Sequence, residues 1–182
     1  MNLTTTTIIA AAALAVVAGG AGVSVAAETA PQKPDATKPT LEFAFEEHVT
    51  LGKGIPVGKT AMGTRNIVPI TGGTFEGPNI HGTIMPGGWD WQLIRADGCV
   101  HIKADYMIKT DDGAIINVLN QGIICRPKEG APPAGPAHTV PVFEPPLGKY
   151  EWLGQSTFVG TLEPATDGGP LTAIKIRFYR VQ

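Results

Sequence analysis

Asp90 is the residue of this sequence best placed to do chemistry. It follows a tight Pro86-Gly87-Gly88 turn, stands between two tryptophans, and has Gln92 two positions further on. In a cofactor-free enzyme that moves a proton on a small carbonyl or phenolic compound, an aspartate can act as the base. We therefore predict that Asp90 is a catalytic base and that Gln92 contacts a ligand.

Tyr106, Trp91 and Asn120 are predicted to line the same site. A tyrosine hydroxyl can stabilise an oxyanion, and an indole can stack on an aromatic ligand. The alternative for both rings is a plain aromatic core. Asn120 is an amide on an otherwise apolar face and needs a hydrogen-bond partner, which either the backbone or a ligand supplies.

Two further charged residues complete the predicted chemistry. Arg65, in the run Gly63–Asn66, could hold a carboxylate or a phenolate with two hydrogen bonds. The alternative is an internal ion pair with Asp90 or Asp112. Asp105 is predicted to lie across from Asp90, where two close carboxylates would form an acid and base pair. The alternative is that both aspartates face solvent.

The elements that must position these residues are β-strands. Turn residues separate short runs with period-two or looser alternation, and no sustained helical period occurs after residue 27. A Pro- and Gly-rich insert from Pro127 to Pro146 is predicted to be a long loop at one mouth. We predict an all-β domain over residues 41–182, a single antiparallel, mostly up-and-down β-barrel. The predicted strands are 41–46, 79–85, 89–95, 100–109, 114–124, 158–162 and 173–181.

Two turns predict which side chains face the interior. A two-residue turn at Asp97-Gly98 sets Trp91 opposite Ala104, and a three-residue turn at 111–113 sets Tyr106 opposite Val118. Asp90 and Trp91 could then line one pocket only if a bulge at Gly87-Gly88 breaks the alternation. The predicted interior face consists of Trp89, Trp91, Leu93, Ile102, Tyr106, Ile108, Ile116, Val118 and Asn120. The predicted solvent face consists of Asp90, Gln92, His101, Lys103, Asp105 and Lys109.

The first 27 residues contain no charged side chain and are rich in Ala and Val. This pattern predicts a signal peptide over residues 1–27, and the alternative is an uncleaved membrane anchor. Residues 28–40 are rich in Pro, Ala, Thr and Lys and are predicted to be a disordered linker. We therefore predict a periplasmic or secreted protein with no stable membrane insertion after cleavage.

The two cysteines, the net charge and the histidines indicate which bonds, partners and cofactors to expect. Export would permit a disulfide between Cys99 and Cys125, which the two predicted hairpins set on neighbouring strands. The alternative is two unpaired buried thiols. A net charge of −2 without a basic block argues against nucleic-acid binding. The four scattered histidines predict no metal site, and we expect no cofactor.

Glycine, proline and aromatic residues recur along the chain in a fixed order of motifs: Gly63–Arg65, Pro69–Gly73, Glu76–Pro78, Pro86–Gln92, Thr110–Gly113, Asn120–Gly122 and Arg177–Tyr179. In these motifs the chain resembles the domain-of-unknown-function family 3237, from Leu41 to Gln182. The resemblance implies a compact β-barrel and no settled activity. Trp89, Ile124 and Gly154 depart from the small residue, arginine and asparagine of the family pattern, which predicts a less polar pocket.

Three functions follow from these predictions. The first is an exported small-molecule-binding barrel for a small aromatic or acidic metabolite, contacted by Arg65, Trp91, Tyr106 and Asn120. The second is a cofactor-free lyase or isomerase with Asp90 as base and Tyr106 or Arg65 at the oxyanion. The third is a structural module, such as a homodimer formed through exposed Ile174, Ile176 and Phe178 of the C-terminal strand.

Overall fold

A computed structural model describes residues 37–127, 130, 135–165 and 170–182. The predicted signal peptide and most of the predicted linker lie outside these residues. No helix in the described part of the chain is long and apolar enough to cross a bilayer.

The described residues form strands and one short helix. In chain order they are β1 Leu41–Leu51, β2 Ile55–Thr60, β3 Gly63–Gly77, β4 Ile80–Ile84, β5 Gly88–Ile94, β6 Val100–Thr110, β7 Ile115–Ile124, β8 Ala137–Glu144, α1 Glu151–Gly154, β9 Phe158–Pro164 and β10 Ala173–Val181.

The strands close into an antiparallel barrel. Each strand from β6 to β10 pairs with the next along the chain, and β10 pairs with β1. β1 and β2 are successive pieces along one side of β3, and β4 and β5 are successive pieces between β3 and β6. Counting each broken strand once leaves eight strand positions, all up-and-down. This confirms the predicted single antiparallel β-barrel.

The break between β4 and β5 brings the backbone close to β6. β5 resumes at Gly88, where a Cβ atom would lie only 2.4 Å from the Cβ atom of Tyr106. Only glycine permits so close an approach of two strands. The Gly-rich turn therefore fixes β5 against the tyrosine that was predicted to belong to the site.

The barrel interior is solid at one end. Phe45 lies with its ring centroid 5.0 Å from that of Phe178 and 5.6 Å from that of Phe143, which in turn lies 5.1 Å from Phe158. Helix α1 adds the fully buried Leu153 to this phenylalanine cluster. Such aromatic burial accounts for much of the stability of a small domain. We call this half the closed end.

One predicted register is wrong and the other is confirmed. The β5–β6 turn has three residues, 96–98, because the Arg95 N–H donates to the Cys99 carbonyl at 2.9 Å. Gly98 takes the left-handed φ of +81° that the extra residue requires. Trp89 consequently pairs with Asp105 rather than with Tyr106. The 111–113 turn does set Tyr106 opposite Val118.

This shift of one residue exchanges the faces of Trp89, Asp90, Trp91 and Gln92. Leu93, predicted to be interior, is buried at the end of the strand. Trp89 and Trp91, predicted to be interior, are 44% and 45% exposed on the outside of the barrel. Asp90 and Gln92, predicted to face solvent, point inward. The predicted pairing of Asp90 with Asp105 is wrong too, because Asp90 pairs with Ala104.

Three further predictions concern the 127–146 segment, the C-terminal strand and the two cysteines. The segment 127–146, predicted to be a loop, contains strand β8. Pro141 has no N–H to donate to a neighbouring strand, and it lies outside the three residues of β8 that pair with β9. Ile176 and Phe178 of β10 are buried, so the predicted dimer patch on this strand is wrong. Of the two cysteine alternatives the structure has the disulfide, with the Cα atoms of Cys99 and Cys125 4.2 Å apart.

Candidate functional site

The half of the barrel away from the phenylalanine cluster is hollow. It holds a cavity of about 330 Å³, near the lower end of the range of small-molecule pockets. Gly52, Gly54 and Leu171 lie around it at the end opposite α1, which we call the open end. Most of the wall is aliphatic, and the polar residues that line it are Asn66, Asp90, Gln92, Tyr106 and Asn120.

Asp90 is held in this wall by a short chain of hydrogen bonds. Its carboxylate accepts from the Gln92 side-chain amide at 2.9 Å and from the Lys103 backbone N–H at 3.0 Å. The Asn66 side-chain amide donates to Gln92 at 2.9 Å and so orients it. Burial raises the pKa of Asp90, while these hydrogen bonds and His101 oppose the rise. The result is a fixed carboxylate of increased basicity.

Tyr106 connects the cavity to a second carboxyl group. Its hydroxyl donates to Oε2 of Glu47 at 2.6 Å. Glu47 is fully buried, and burial raises its pKa to about 8 despite the hydrogen bond from Tyr106. Burial and the neighbouring Glu47 raise the pKa of Tyr106 as well. At neutral pH Glu47 is therefore mainly protonated and Tyr106 is neutral.

Two buried oxygen atoms near the cavity have no hydrogen-bond partner among the described residues. They are Oε1 of Glu47 and Oδ1 of Asn120. Asn120 lines the cavity and is 1% exposed. A buried acceptor without a donor costs about 1–3 kcal/mol, so the Asn120 oxygen, which lines the cavity, would be stabilised by a donor brought in from outside. Glu47 does not line the cavity and reaches it through Tyr106.

Arg65 and Trp91 do not share the cavity with the other predicted site residues. Both lie on the outer surface, where the Arg65 guanidinium is 5.7 Å from the centroid of the Trp91 ring. The predicted contacts therefore divide into an inner group, Asp90, Gln92, Tyr106 and Asn120, and an outer pair.

Sequence reasoning missed Glu47 and Asn66. A β-bulge between Phe43 and Phe45 breaks the alternation at the start of β1, so the predicted 41–46 strand did not reveal which side faces inward. From Phe45 onward the signal is clear, because Glu47 occupies the inward position between Phe45 and Val49. A single acid within an apolar, inward-facing series is a recognisable mark of a functional site.

The electrostatics of the cavity favour neutral ligands that donate hydrogen bonds. None of the described residues that line it is cationic, and its polar groups include the Asp90 carboxylate and the unpartnered Asn120 oxygen. Within the described residues no three His, Cys, Asp or Glu side chains are grouped so that they could hold a metal ion.

Comparison with known proteins identifies relatives across most of the chain. The family model described as "Protein of unknown function (DUF3237)" matches residues 39–181. A UPF0311 protein of Rhodopseudomonas palustris is 36% identical over 135 residues, covering 68% of this chain and 88% of the relative. A crystal structure of a beta-barrel like protein from Acinetobacter baumannii, 30% identical, superposes with a TM-score of 0.69 over 82% of this chain and 100% of that chain.

One relative carries the name of an enzyme. The hydroalkoxylation enzyme phnH of Penicillium herquei is 31% identical over 125 residues, covering 69% of this chain and 75% of that protein.

Proposed function

The chain belongs to the DUF3237 family of proteins of unknown function, and from the chemistry of its cavity we propose that it is a small-molecule enzyme that moves a proton with its own side chains. The observation that carries this proposal is the presence of two carboxyl groups of raised pKa, the fully buried Glu47 and the partly buried Asp90, in or next to one apolar cavity. Pairs of neighbouring carboxyls with raised pKa are typical of acid and base catalysis.

The ligand class follows from the cavity wall. Aliphatic side chains favour an apolar, partly aromatic body, and the acceptor oxygens favour hydroxyl groups on it. A carboxylate ligand would lie against Asp90 without a cation in the described wall to balance it. Of the aromatic and acidic metabolites predicted from the sequence, the cavity therefore favours a neutral aromatic one.

The proposed reaction class combines the chemistry of this wall with the activity for which the Penicillium relative is named, hydroalkoxylation. We propose the addition of a hydroxyl group to a carbon–carbon double bond conjugated with a carbonyl in the same molecule. Asp90 removes the hydroxyl proton, the oxygen bonds to the β-carbon, and the negative charge moves to the carbonyl oxygen. A proton then returns to the α-carbon, so the reaction is an isomerisation that needs no further reactant.

Tyr106 and Glu47 supply the acidic side of this reaction. Hydroxyl hydrogens rotate, so protonated Glu47 can donate to Tyr106 while Tyr106 donates into the cavity. The tyrosine thereby stabilises the developing oxyanion, and Glu47 acts through it as a positioning residue. This arrangement supports roles for Asp90 and Tyr106 of the kind predicted from the sequence.

The proposal is tested with hydroxyaryl enones, neutral aromatic compounds that carry both reacting groups. Cyclised product is measured by chromatography, and in D₂O one deuterium is expected at the α-carbon. Asp90→Asn is expected to lower kcat/KM by about 100-fold or more, the usual range for a lost general base. The control Asp111→Asn removes an exposed carboxylate paired with His81 and is expected to leave the rate unchanged.

A second measurement separates binding from catalysis. Thermal shifts are compared for neutral aromatic alcohols and for the matching carboxylates. Stabilisation by the neutral compounds alone supports the proposed cavity. Equal or stronger stabilisation by the carboxylates, or cyclisation that is unaffected by Asp90→Asn, refutes the proposed chemistry.

Export is part of the proposed function. The apolar leader of the sequence and the Cys99–Cys125 disulfide support an oxidising compartment such as the periplasm or the cell exterior. Cell fractionation tests this, and a full-length chain found only in the cytoplasm contradicts it.

A further inference from the structure

The outer wall of the barrel carries an exposed apolar face on neighbouring strands. We call it the tryptophan face. Trp89 and Trp91 of β5 are 44% and 45% exposed at its centre, and two valines of β8 are each 57% exposed at its edge. Its apolar members are Ile67, Trp89, Trp91, Leu119, Val140 and Val142.

Strand pairing shows that this face is continuous. Trp89 lies between Pro69 of β3 and Asp105 of β6. Asp105 pairs with Leu119 of β7, which pairs with Val142 of β8. These five of the eight strand positions follow about half of the barrel's circumference, so the two tryptophans face the same way as β6, and the valines of β8 lie around the side. Two half-exposed tryptophans next to each other mark a site of association rather than scattered surface residues.

The charged residues of the face carry both signs. Arg65, Lys103 and Asp105 surround a surface depression beside the two tryptophans. Lys103 and Asp105 project from the same side of β6, two residues apart, which corresponds to about 7 Å along the strand. A patch with adjacent opposite charges is complementary to its own copy when the two are related by a two-fold axis.

We propose that the tryptophan face is the contact surface of a two-fold symmetric homodimer. The tryptophans of the two copies pack at the centre, and Lys103 of each copy faces Asp105 of the other. Arg65 lies 5.7 Å from the Trp91 ring centroid and holds that ring in place within each copy. Aromatic residues with arginine at the centre of a patch are the usual composition of an interface hot spot.

Each tryptophan leaves roughly 100 Å² of surface exposed, and the rest of the face supplies the larger area. A stable dimer buries about 800 Å² on each copy, of which the two tryptophans contribute about a quarter. The interface leaves the cavity accessible, because the face lies on the outside of the barrel wall and the cavity is reached from the open end.

Sedimentation velocity on a dilution series of the full chain tests the proposal. The unsubstituted protein is expected to be a dimer at micromolar concentration. Trp91→Glu is expected to raise the dissociation constant at least about 30-fold, as for a central hot-spot residue. The matched control Leu147→Glu, at a leucine that is 92% exposed elsewhere, is expected to leave it unchanged. A monomeric protein, or a dimer that Trp91→Glu leaves intact, overturns the proposal.

A charge exchange tests the symmetry without removing a ring. Lys103→Asp alone and Asp105→Lys alone are each expected to weaken the dimer, since like charges then meet across the axis. The double variant restores opposite charges and is expected to recover most of the affinity. Failure of the double variant to recover, with both single variants folded by circular dichroism, rejects the two-fold arrangement.

Discussion

Glu47→Gln is expected to make the protein increasingly more stable than the unsubstituted chain as the pH rises. The carboxyl of Glu47 is fully buried and has a pKa of about 8 in the folded protein, against 4.5 as its ordinary value. The folded state therefore holds this proton more tightly than the unfolded state does. The stabilisation that this bound proton contributes is complete below about pH 4.5 and is lost as the pH rises to about 8.

The magnitude follows from the two pKa values. Each pKa unit corresponds to about 1.4 kcal/mol, so the full loss is about 5 kcal/mol of unfolding free energy. About 4 kcal/mol of this stabilisation is lost between about pH 5 and about pH 9, and more than half of that loss occurs by about pH 7. Glutamine has nearly the same shape, does not ionise, and can still accept the Tyr106 hydrogen bond.

Urea unfolding of both proteins at pH values from about 5 to about 9, with the disulfide intact, measures this difference. Asp90 is present in both proteins, so its own titration largely cancels. Glu46→Gln is the matched control, because Glu46 lies on the outer side of the same strand, with Arg177 2.7 Å away. It is expected to change stability by at most about 1 kcal/mol. A pH-independent difference between Glu47→Gln and the unsubstituted chain would refute a buried, proton-holding Glu47.

Three further variants, each with its own control, test what stabilises the barrel. Gly88→Ala is expected to cost about 1–3 kcal/mol because its Cβ would lie 2.4 Å from that of Tyr106, whereas Gly135→Ala, in open space, is expected to be neutral in the same urea titration. Replacing both Cys99 and Cys125 by Ser opens a bridge with a sequence separation of 26 and is expected to lower stability by about 3.5 kcal/mol, which reduction of the unsubstituted protein should reproduce. Leu153→Ala is expected to cost about 3 kcal/mol in chemical unfolding, and Leu147→Ala, at a 92% exposed site, about 0.5 kcal/mol or less.

The sequence was sufficient to predict the barrel and the register of one hairpin. Asp111, Asp112 and Gly113 form a three-residue turn, and the alternation of β6 and β7 places Tyr106 and Asn120 inward, as predicted. In these long, regular strands the turn and the hydrophobic alternation predict the same inward-facing residues. In β5 they do not, because this strand begins at a break in the sheet and has aromatic side chains on its exposed side.

The orientation of β5 could not be decided from its residues. Asp97-Gly98 fits a two-residue turn, but the structure has a three-residue turn with Gly98 as the bulge, and one extra residue exchanges the two faces. Hydrophobicity then favoured the wrong side, because tryptophan is normally an interior residue and aspartate is not. Functional cavities and association surfaces both depart from that rule, and β5 contributes to each candidate site.

The phenylalanine cluster and the cavity occupy different levels of one cylinder, and this separation has an evolutionary consequence. The rings packed beneath α1 belong to the hydrophobic core, whereas Gly52, Gly54 and Leu171 at the open end do not, so residues at the open end can be exchanged at modest thermodynamic cost. Mutations at the open end can therefore change which molecules fit the cavity while the core stays intact. For the same reason the barrel is a suitable scaffold for laboratory evolution of its cavity.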